Sequence, residues 1–142
     1  MMTNKQRFVF DTNVLISAFL FNQSKPRQAL DQAQNIGLII FSSSVFSELK
    51  EVLYRPKFDK YLTLSRRQEF LEHLTETTQF IDVTEQIDEC RDPKDNKYLE
   101  LAMSGKAEYI VTGNNDLLIL NPWRSIKILT VQEFLAKKRL EK

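Results

Sequence analysis

The sequence predicts an α/β fold in which helices sandwich a mainly parallel sheet, and two observations carry that reading. Short, nearly continuous apolar runs of β-type residues recur at Arg7-Phe8-Val9-Phe10, Leu38-Ile39-Ile40-Phe41 and Tyr109-Ile110-Val111-Thr112, as expected of strands covered on both faces. Helical patterns alternate with these runs, the order that builds a parallel sheet with helices packed against it.

The elements follow in order. After the first strand, Val14 to Phe21 is an apolar helical stretch. Ser24-Lys25-Pro26 opens a second helix, which Gly37 closes ahead of the second strand, a pairing of capping Ser and terminal Gly. Ser44 starts a third helix that Pro56 ends, and Ser65 opens a fourth reaching about Thr78. A weaker strand, Phe80-Ile81-Asp82-Val83, comes next. Asp92-Pro93 opens a fifth helix ending near Gly105. Beyond Tyr109–Thr112, a further strand runs over Ile126-Lys127-Ile128-Leu129. The last helix, Thr130 to about Leu140, begins with a capping box of Thr130 and Glu133.

Bulk properties set the boundaries. A chain of 142 residues without internal repeats or a composition break is read as one domain over residues 1–142. Its N-terminus, Met1 to Arg7, is polar, and no stretch reaches the roughly 18 apolar residues of a membrane span. Neither a signal peptide nor a membrane partner is expected, and the cytoplasm is the expected location. The single cysteine, Cys90, excludes an intrachain disulfide and a cysteine-cluster zinc site. With 20 Lys and Arg against 19 Asp and Glu, any nucleic-acid partner has to be met by a local basic patch rather than by overall charge.

In parallel α/β sheets, ligands bind outside the carboxyl ends of the strands, and acidic residues gather there. Asp11 directly follows Phe8-Val9-Phe10; it is equally placed to cap the helix after it. Glu48 lies about 60° around its helix from Val45 and about 40° from Val52, on the border of the apolar stripe, where a glutamate with its head in water also belongs. Asp95 shares a helical face with Tyr98, Leu99 and Ala102. A carboxylate there is costly unless a metal or the helix N-terminus offsets its charge. With Asp92 as cap and Pro93 first in the helix, Asp95 also fills a position that favours acids anyway. Asp116 follows a strand expected beside the first, inside a Gly- and Asn-rich turn where aspartate is a usual turn former.

Brought together, such carboxylates repel one another and call for Mg²⁺ or Mn²⁺, hard ions that favour oxygen ligands. His73 sits mid-helix among polar residues and reads as surface. With no Ser-His or Cys-His pair available, the nucleophile's role falls to a water activated by metal.

Four segments then resemble a known family in register with the strand–helix pattern. Phe8-Val9-Phe10-Asp11-Thr12-Asn13-Val14-Leu15 resembles the opening motif of PIN domains. Glu48-Leu49 with Tyr54-Arg55-Pro56-Lys57-Phe58 is similar to the second acid and the Arg-Pro-Lys stretch of one bacterial PIN subfamily. Arg91-Asp92-Pro93-Lys94-Asp95-Asn96-Lys97-Tyr98-Leu99 resembles that subfamily's third motif, and Thr112-Gly113-Asn114-Asn115-Asp116-Leu117 its fourth. The resemblance implies a three-layer α/β/α sandwich and a Mg²⁺- or Mn²⁺-dependent ribonuclease, often the toxin of a toxin–antitoxin pair. RNA is then the substrate, an antitoxin protein a partner, and a homodimer an expectation, since PIN domains commonly dimerise. By position it implies Asp11, Glu48, Asp95 and Asp116 as catalytic, metal-holding acids, with Asn13 and Thr112 supporting the site or the substrate. The chain departs at Asn114, often an aspartate in this subfamily. An amide oxygen can still ligate, but the site loses a negative charge.

A noncatalytic RNA- or protein-binding module on the same fold is the alternative, and Asn114 is the residue that favours it. A phosphatase using Asp11 as nucleophile, as in haloacid-dehalogenase-like enzymes, would carry a second Asp two residues on, where Asn13 stands. Lys50, Arg55, Lys57, Lys60, Arg66 and Arg67 gather basic charge between the third and fourth helices. They read as a solvated face, with a phosphate-backbone track as the alternative. Lys137-Lys138-Arg139 complements the last helix dipole, and Trp123, Met103 and the phenylalanines read as packing residues.

Overall fold

A computed structural model describes residues 6–140 in backbone and residues 6–137 in side-chain burial. The polar segment 1–5 and the side chains of Lys138 and Arg139, on which two of the expectations above rest, lie outside the described residues. Among the described residues five strands form one sheet in the order β3-β2-β1-β4-β5, with every pairing parallel. They are β1 (Gln6–Phe10), β2 (Gly37–Phe41), β3 (Gln79–Phe80), β4 (Tyr109–Val111) and β5 (Lys127–Leu129). Seven helices flank the sheet among the described residues: α1 (Thr12–Leu20), α2 (Lys25–Ile36), α3 (Ser43–Leu53), α4 (Leu64–Thr77), α5 (Asn96–Ser104), α6 (Asn115–Leu118) and α7 (Val131–Leu140).

The central strand β1 is buried as its unbroken apolar run requires: Phe8 and Val9 are fully covered, and Phe10 nearly so. Its neighbours are β2, through Phe8 opposite Ile39, and β4, through Phe10 opposite Val111. The chain runs from β1 outward to β2 and β3, then crosses back to β4 on the other side of β1. The strand order therefore reverses between β1 and β4, and the crevice beyond their carboxyl ends is where such a sheet binds ligands.

Caps set most helix boundaries. Ser24 Oγ accepts from Arg27 N at 3.3 Å to start α2, and Thr130 and Glu133 exchange the two bonds of a capping box ahead of α7. Two caps differ from the sequence expectation. Ser42, not Ser44, caps α3, with Oγ accepting from Val45 N at 3.2 Å; it follows β2 directly and is still extended. Thr63, not Ser65, caps α4 through Arg66 N at 3.1 Å. The strand expected over Phe80–Val83 shrinks to Gln79–Phe80, although Ile81 N still donates to Phe41 O at 2.8 Å. The fifth helix begins as a 3₁₀ turn over Pro93–Asp95, and α5 starts only at Asn96. The turn expected after β4 holds one helical turn, α6, capped by Asn114.

The end of α5 shows why its glycine is there. Lys106, not Gly105, takes the left-handed conformation, with φ of 56°. Lys106 N donates to Met103 O at 3.3 Å and Ala107 N to Ala102 O at 2.9 Å, the bonds of a Schellman cap. Gly105 is instead a close-approach position: a Cβ there would stand 2.4 Å from Ile40 Cδ1 and 3.1 Å from Leu101 O. Lys106→Gly is therefore expected to stabilise the fold by about 0.5–1 kcal/mol. Gly105→Ala should cost about 1–3 kcal/mol through overpacking. Paired thermal melts check both signs.

Two groups depart from their expected burial. Phe21 and Phe80 are exposed, unlike the other core phenylalanines, and Arg67 is buried at 1% exposure rather than lying on the basic face. Arg67 Nη2 donates to Asp59 Oδ1 and to Leu62 O, each at 3.0 Å, so its charge serves the fold. Trp123 is buried, with Nε1 donating to Glu89 Oε1 at 2.7 Å; Met103 packs on the core and His73 is exposed. Among the described residues, no helix is long and apolar enough to cross a membrane.

Candidate active site

The crevice beyond β1 and β4 is a cleft of about 590 Å³. Asp11, Glu48 and Asp95 line it, together with Asn13, Asn114 and Tyr98. Three segments far apart in sequence thus deliver carboxylates to one cavity: the end of β1, the middle of α3 and the turn before α5.

Asp11 does two jobs at the end of β1. As N-cap of α1, its Oδ1 accepts from Asn13 N at 3.1 Å, and its Oδ2 accepts from Thr112 Oγ1 at 2.6 Å. Thr112, buried at the end of β4, also accepts from Asn114 N at 3.0 Å and so ties the two strand ends together. Asp11 is only 6% exposed. Burial pushes its carboxyl above the usual range; the Thr112 hydroxyl and the Asn13 amide pull it down, and the charges of Glu48 and Asp95 push it up again. The groups that lower it are neutral donors, not cations.

Glu48 hangs from the border of α3, half-buried. Its Oε1 accepts the Tyr98 hydroxyl in a short hydrogen bond, lies 3.3 Å from Thr12 Oγ1 and 3.6 Å from Lys97 Nζ. Tyr98 is buried on α5, and its hydroxyl also meets Thr12 Oγ1 at 2.9 Å and Thr12 N at 3.3 Å. Burial, reinforced by the charge of Asp11 and the bond to Glu48, drives its phenol far above its ordinary pKa, so it remains a donor. Sequence reasoning placed Tyr98 in the core and missed this role. A buried tyrosine needs a polar partner for its hydroxyl, and one turn from a carboxylate that partner is a site residue. Tyr98→Phe should cost about 1–2 kcal/mol of stability, because the buried Thr12 N–H loses the hydroxyl that accepts from it. If Glu48 holds a metal, the affinity should fall about tenfold as its carboxylate loses its tether. Thermal melts and a Mn²⁺ titration read the two effects.

Asp95 stands at the junction of the 3₁₀ turn and α5, half-buried, and makes no capping bond of its own. Its Oδ2 accepts from Asn114 Nδ2 at 2.8 Å. Burial raises its carboxyl, Asn114 lowers it, Asp92 raises it and Lys97 lowers it. Asn114 faces both ways: its Oδ1 caps α6 by accepting from Asp116 N at 2.9 Å. The orientation follows from the partners, since a backbone N–H must meet the amide oxygen and a carboxylate must meet the NH₂. At this corner the site presents a donor to Asp95 where an aspartate would present a second anion.

Asp116 does not line the cleft. It lies in the first turn of α6, where Arg91 holds its Oδ1 through Nε at 2.7 Å and Nη2 at 2.6 Å. It does approach Asp95: one oxygen each from Asp92, Asp95 and Asp116 lies within 4.8 Å of the others. Asp92, which caps the 3₁₀ turn through Lys94 N at 3.1 Å, enters this trio although sequence reasoning took it for a cap alone. Asp95 is thus shared between the trio and the cleft, while Asp11 and Glu48 belong to the cleft side.

The donors suit a hard divalent cation. They are carboxylate oxygens, Asp11 and Asp95 carry charge that their neutral hydrogen bonds do not offset, and Lys97 already places a cation near Glu48.

Comparison with known proteins fits this geometry. A family model described as PIN domain matches residues 7–116. An uncharacterized protein of Methanocaldococcus jannaschii, MJ1680, is 31% identical over 94% of this chain and 92% of its own length. Among solved structures, PAE2754 from Pyrobaculum aerophilum superposes with a TM-score of 0.63 at 12% identity, covering 95% of this chain and 90% of that one. The Rickettsia felis VapBC2 structure, bound to a DNA fragment from its promoter, gives a TM-score of 0.61 at 15% identity over 88% of this chain and 98% of the matched chain. DNA-bound VapBC from Salmonella typhimurium gives 0.59 at 18% identity over 89% and 98%. At these identities the structural matches establish the fold.

Proposed function

Because the chain belongs to the PIN domain family, we propose that it is a metal-dependent endoribonuclease that hydrolyses RNA phosphodiester bonds. The observation that carries this reading is the meeting of Asp11, Glu48 and Asp95 in one cleft at the strand-order reversal, without a histidine or cysteine partner. In this proposal Asp11, Glu48 and Asp95 hold Mg²⁺ or Mn²⁺, and Asp116 adds negative charge beside Asp95 from outside the cleft. When bound, such an ion lowers the pKa of water and stabilises charge on a phosphate.

The chain's own residues set the geometry. Thr112 and the Asn13 amide fix the two oxygens of Asp11, Tyr98 fixes Glu48, and Asn114 fixes Asp95. Lys94 and Arg55 line the same cleft and offer positive charge to the phosphates that flank the scissile bond. We further propose that the protein is the toxin of a toxin–antitoxin pair, with a protein antitoxin as partner; the likeness to chains of VapBC structures supports this.

The second reading, a noncatalytic RNA- or protein-binding module, rests on Asn114, whose NH₂ occupies the place of an anionic oxygen beside Asp95. Incubation of the pure protein with structured RNAs in Mn²⁺, Mg²⁺ or EDTA separates the two. The nuclease reading expects cleavage that stops in EDTA and falls sharply in Asp95→Asn. RNA binding without cleavage by wild type in either metal would establish the binding module instead.

A further inference from the structure

A second groove, of about 520 Å³, draws its walls from the same two segments as the acidic cleft, α1 with its C-cap and the stretch after α3. Thr12, Asn13, Val14 and Ser17 of α1 wall the cleft, and Phe19 and Leu20 at its far end, with Phe21 just past it, wall the groove. The segment after α3 is shared in the same way: Val52 and Arg55 face the cleft, and Lys57, Phe58 and Tyr61 face the groove. The two cavities are thus separated by less than the length of one nine-residue helix, about 14 Å.

The groove combines exposed rings with positive charge. Phe21 is 61% exposed and Tyr61 66%, and both rings line this one groove. Lys57 Nζ lies 5.2 Å from the Phe58 ring centre, Lys60 Nζ 5.9 Å from that of Tyr61, and the Arg66 guanidinium 5.7 Å from that of Phe19. Among the described residues no carboxylate lines it, and the acid nearest in sequence, Asp59, is engaged by Arg67. The floor is firm, since Phe19 stacks on Phe70 with ring centres 4.2 Å apart and planes 10° apart.

Resting on the ribonuclease reading of the adjoining cleft, we infer that this groove is an extended subsite for single-stranded RNA flanking the scissile bond. Lys57 and Arg66 in the groove, with Lys60 beside the Tyr61 ring at its edge, meet the phosphates, and Phe21 and Tyr61 offer faces to unstacked bases. Stacking of this kind tolerates any sequence but requires a single strand, because duplex bases keep their faces to one another. An acidic, aromatic-bearing peptide would meet the same charges. The walls that the groove has in common with the cleft favour RNA, since a strand held at the acids has the groove within reach.

The test compares wild type with Phe21→Ala/Tyr61→Ala and with Lys57→Ala/Lys60→Ala. Binding of a labelled 12-nucleotide single-stranded RNA is read by anisotropy in EDTA, and cleavage of the same RNA is read in Mn²⁺. The ring variant should bind about tenfold or more weakly at unchanged salt dependence. The lysine variant should lower the slope of log affinity against log salt by about 1.4, or about 0.7 for each lost phosphate contact. Both should raise KM with kcat unchanged, and a blunt RNA duplex should be insensitive to the ring variant. Wild-type affinity for the single strand in both variants overturns the subsite. So does loss of affinity for an acidic peptide while RNA binding persists, which assigns the groove to a protein partner. The subsite and the nuclease reading fail separately. Weakened RNA binding in the variants with no wild-type cleavage in Mn²⁺ sinks only the nuclease. Cleavage at wild-type KM in the variants sinks only the subsite.

Discussion

Asp11→Asn is expected to lower RNA cleavage at least about a thousandfold, equivalent to about 4 kcal/mol of transition-state stabilisation, while the fold stays at least as stable as wild type at pH 7. Both halves follow from the position. Asparagine caps a helix as well as aspartate, so the bond from Asn13 N survives, and the Thr112 hydroxyl can rotate to accept where it now donates. What disappears is a buried negative charge facing those of Glu48 and Asp95, and with it one of the ligands proposed for the metal. The pH dependence carries the same sign. The carboxyl of Asp11 titrates higher in the folded chain than its ordinary value of 3.8. Between those two values the native state binds more protons than the unfolded state, so metal-free stability falls as pH rises through that window. Asp95 acts in the same direction. Asp11→Asn should flatten this slope, as should saturating Mn²⁺, which binds the native state. Melts across pH with EDTA or Mn²⁺, run beside the cleavage assay, check it. A variant that is both inactive and markedly less stable would point to damaged folding instead of a lost ligand.

Asn114→Asp is expected to act oppositely. The donor 2.8 Å from Asp95 Oδ2 becomes a carboxylate. A charge-assisted hydrogen bond is lost and repulsion takes its place, together costing the metal-free protein about 2–4 kcal/mol at neutral pH. The new Oδ1 still caps Asp116 N, so α6 should persist. Mn²⁺ should restore the stability and bind at least about tenfold more tightly than to wild type, because the site gains an anion. Chemical denaturation with and without Mn²⁺ measures both. A variant insensitive to metal would place this corner outside the metal's reach.

Much of the fold was legible because its signals are local. The unbroken apolar runs marked β1, β2 and β4, and the capping residues of α2 and α7 marked their starts. The place of Asp11 was legible too: a carboxylate that ends a buried central strand opens into the crevice at the carboxyl edge of the sheet. What escaped depends on contacts between distant segments. Tyr98 looked like core because only the fold brings Glu48, 50 positions away, to its hydroxyl. Asp92 looked like a cap, which it is, and only the approach of α6 draws it beside Asp116. Arg67 stands four and seven residues before Leu71 and Leu74 on the inner stripe of α4. That spacing could have flagged it as buried, but its charge put it with the basic face. Phe21 counted as core by residue type, although it lies just past the end of α1, where no following turn covers it. The orientation of the Asn114 amide cannot be read from sequence at all, since it depends on which neighbours offer an N–H and which a carboxylate.

In the proposed nuclease the cleft carboxylates, with Asp95 as their hinge to the outer trio, hold the divalent ion. Anomalous diffraction from crystals soaked in Mn²⁺ locates that ion. The expected result is a manganese peak inside the cleft in contact with Asp11 and Asp95, lost in Asp11→Asn. A peak confined to Asp92 and Asp116 outside the cleft, or no peak at saturating Mn²⁺, would contradict it.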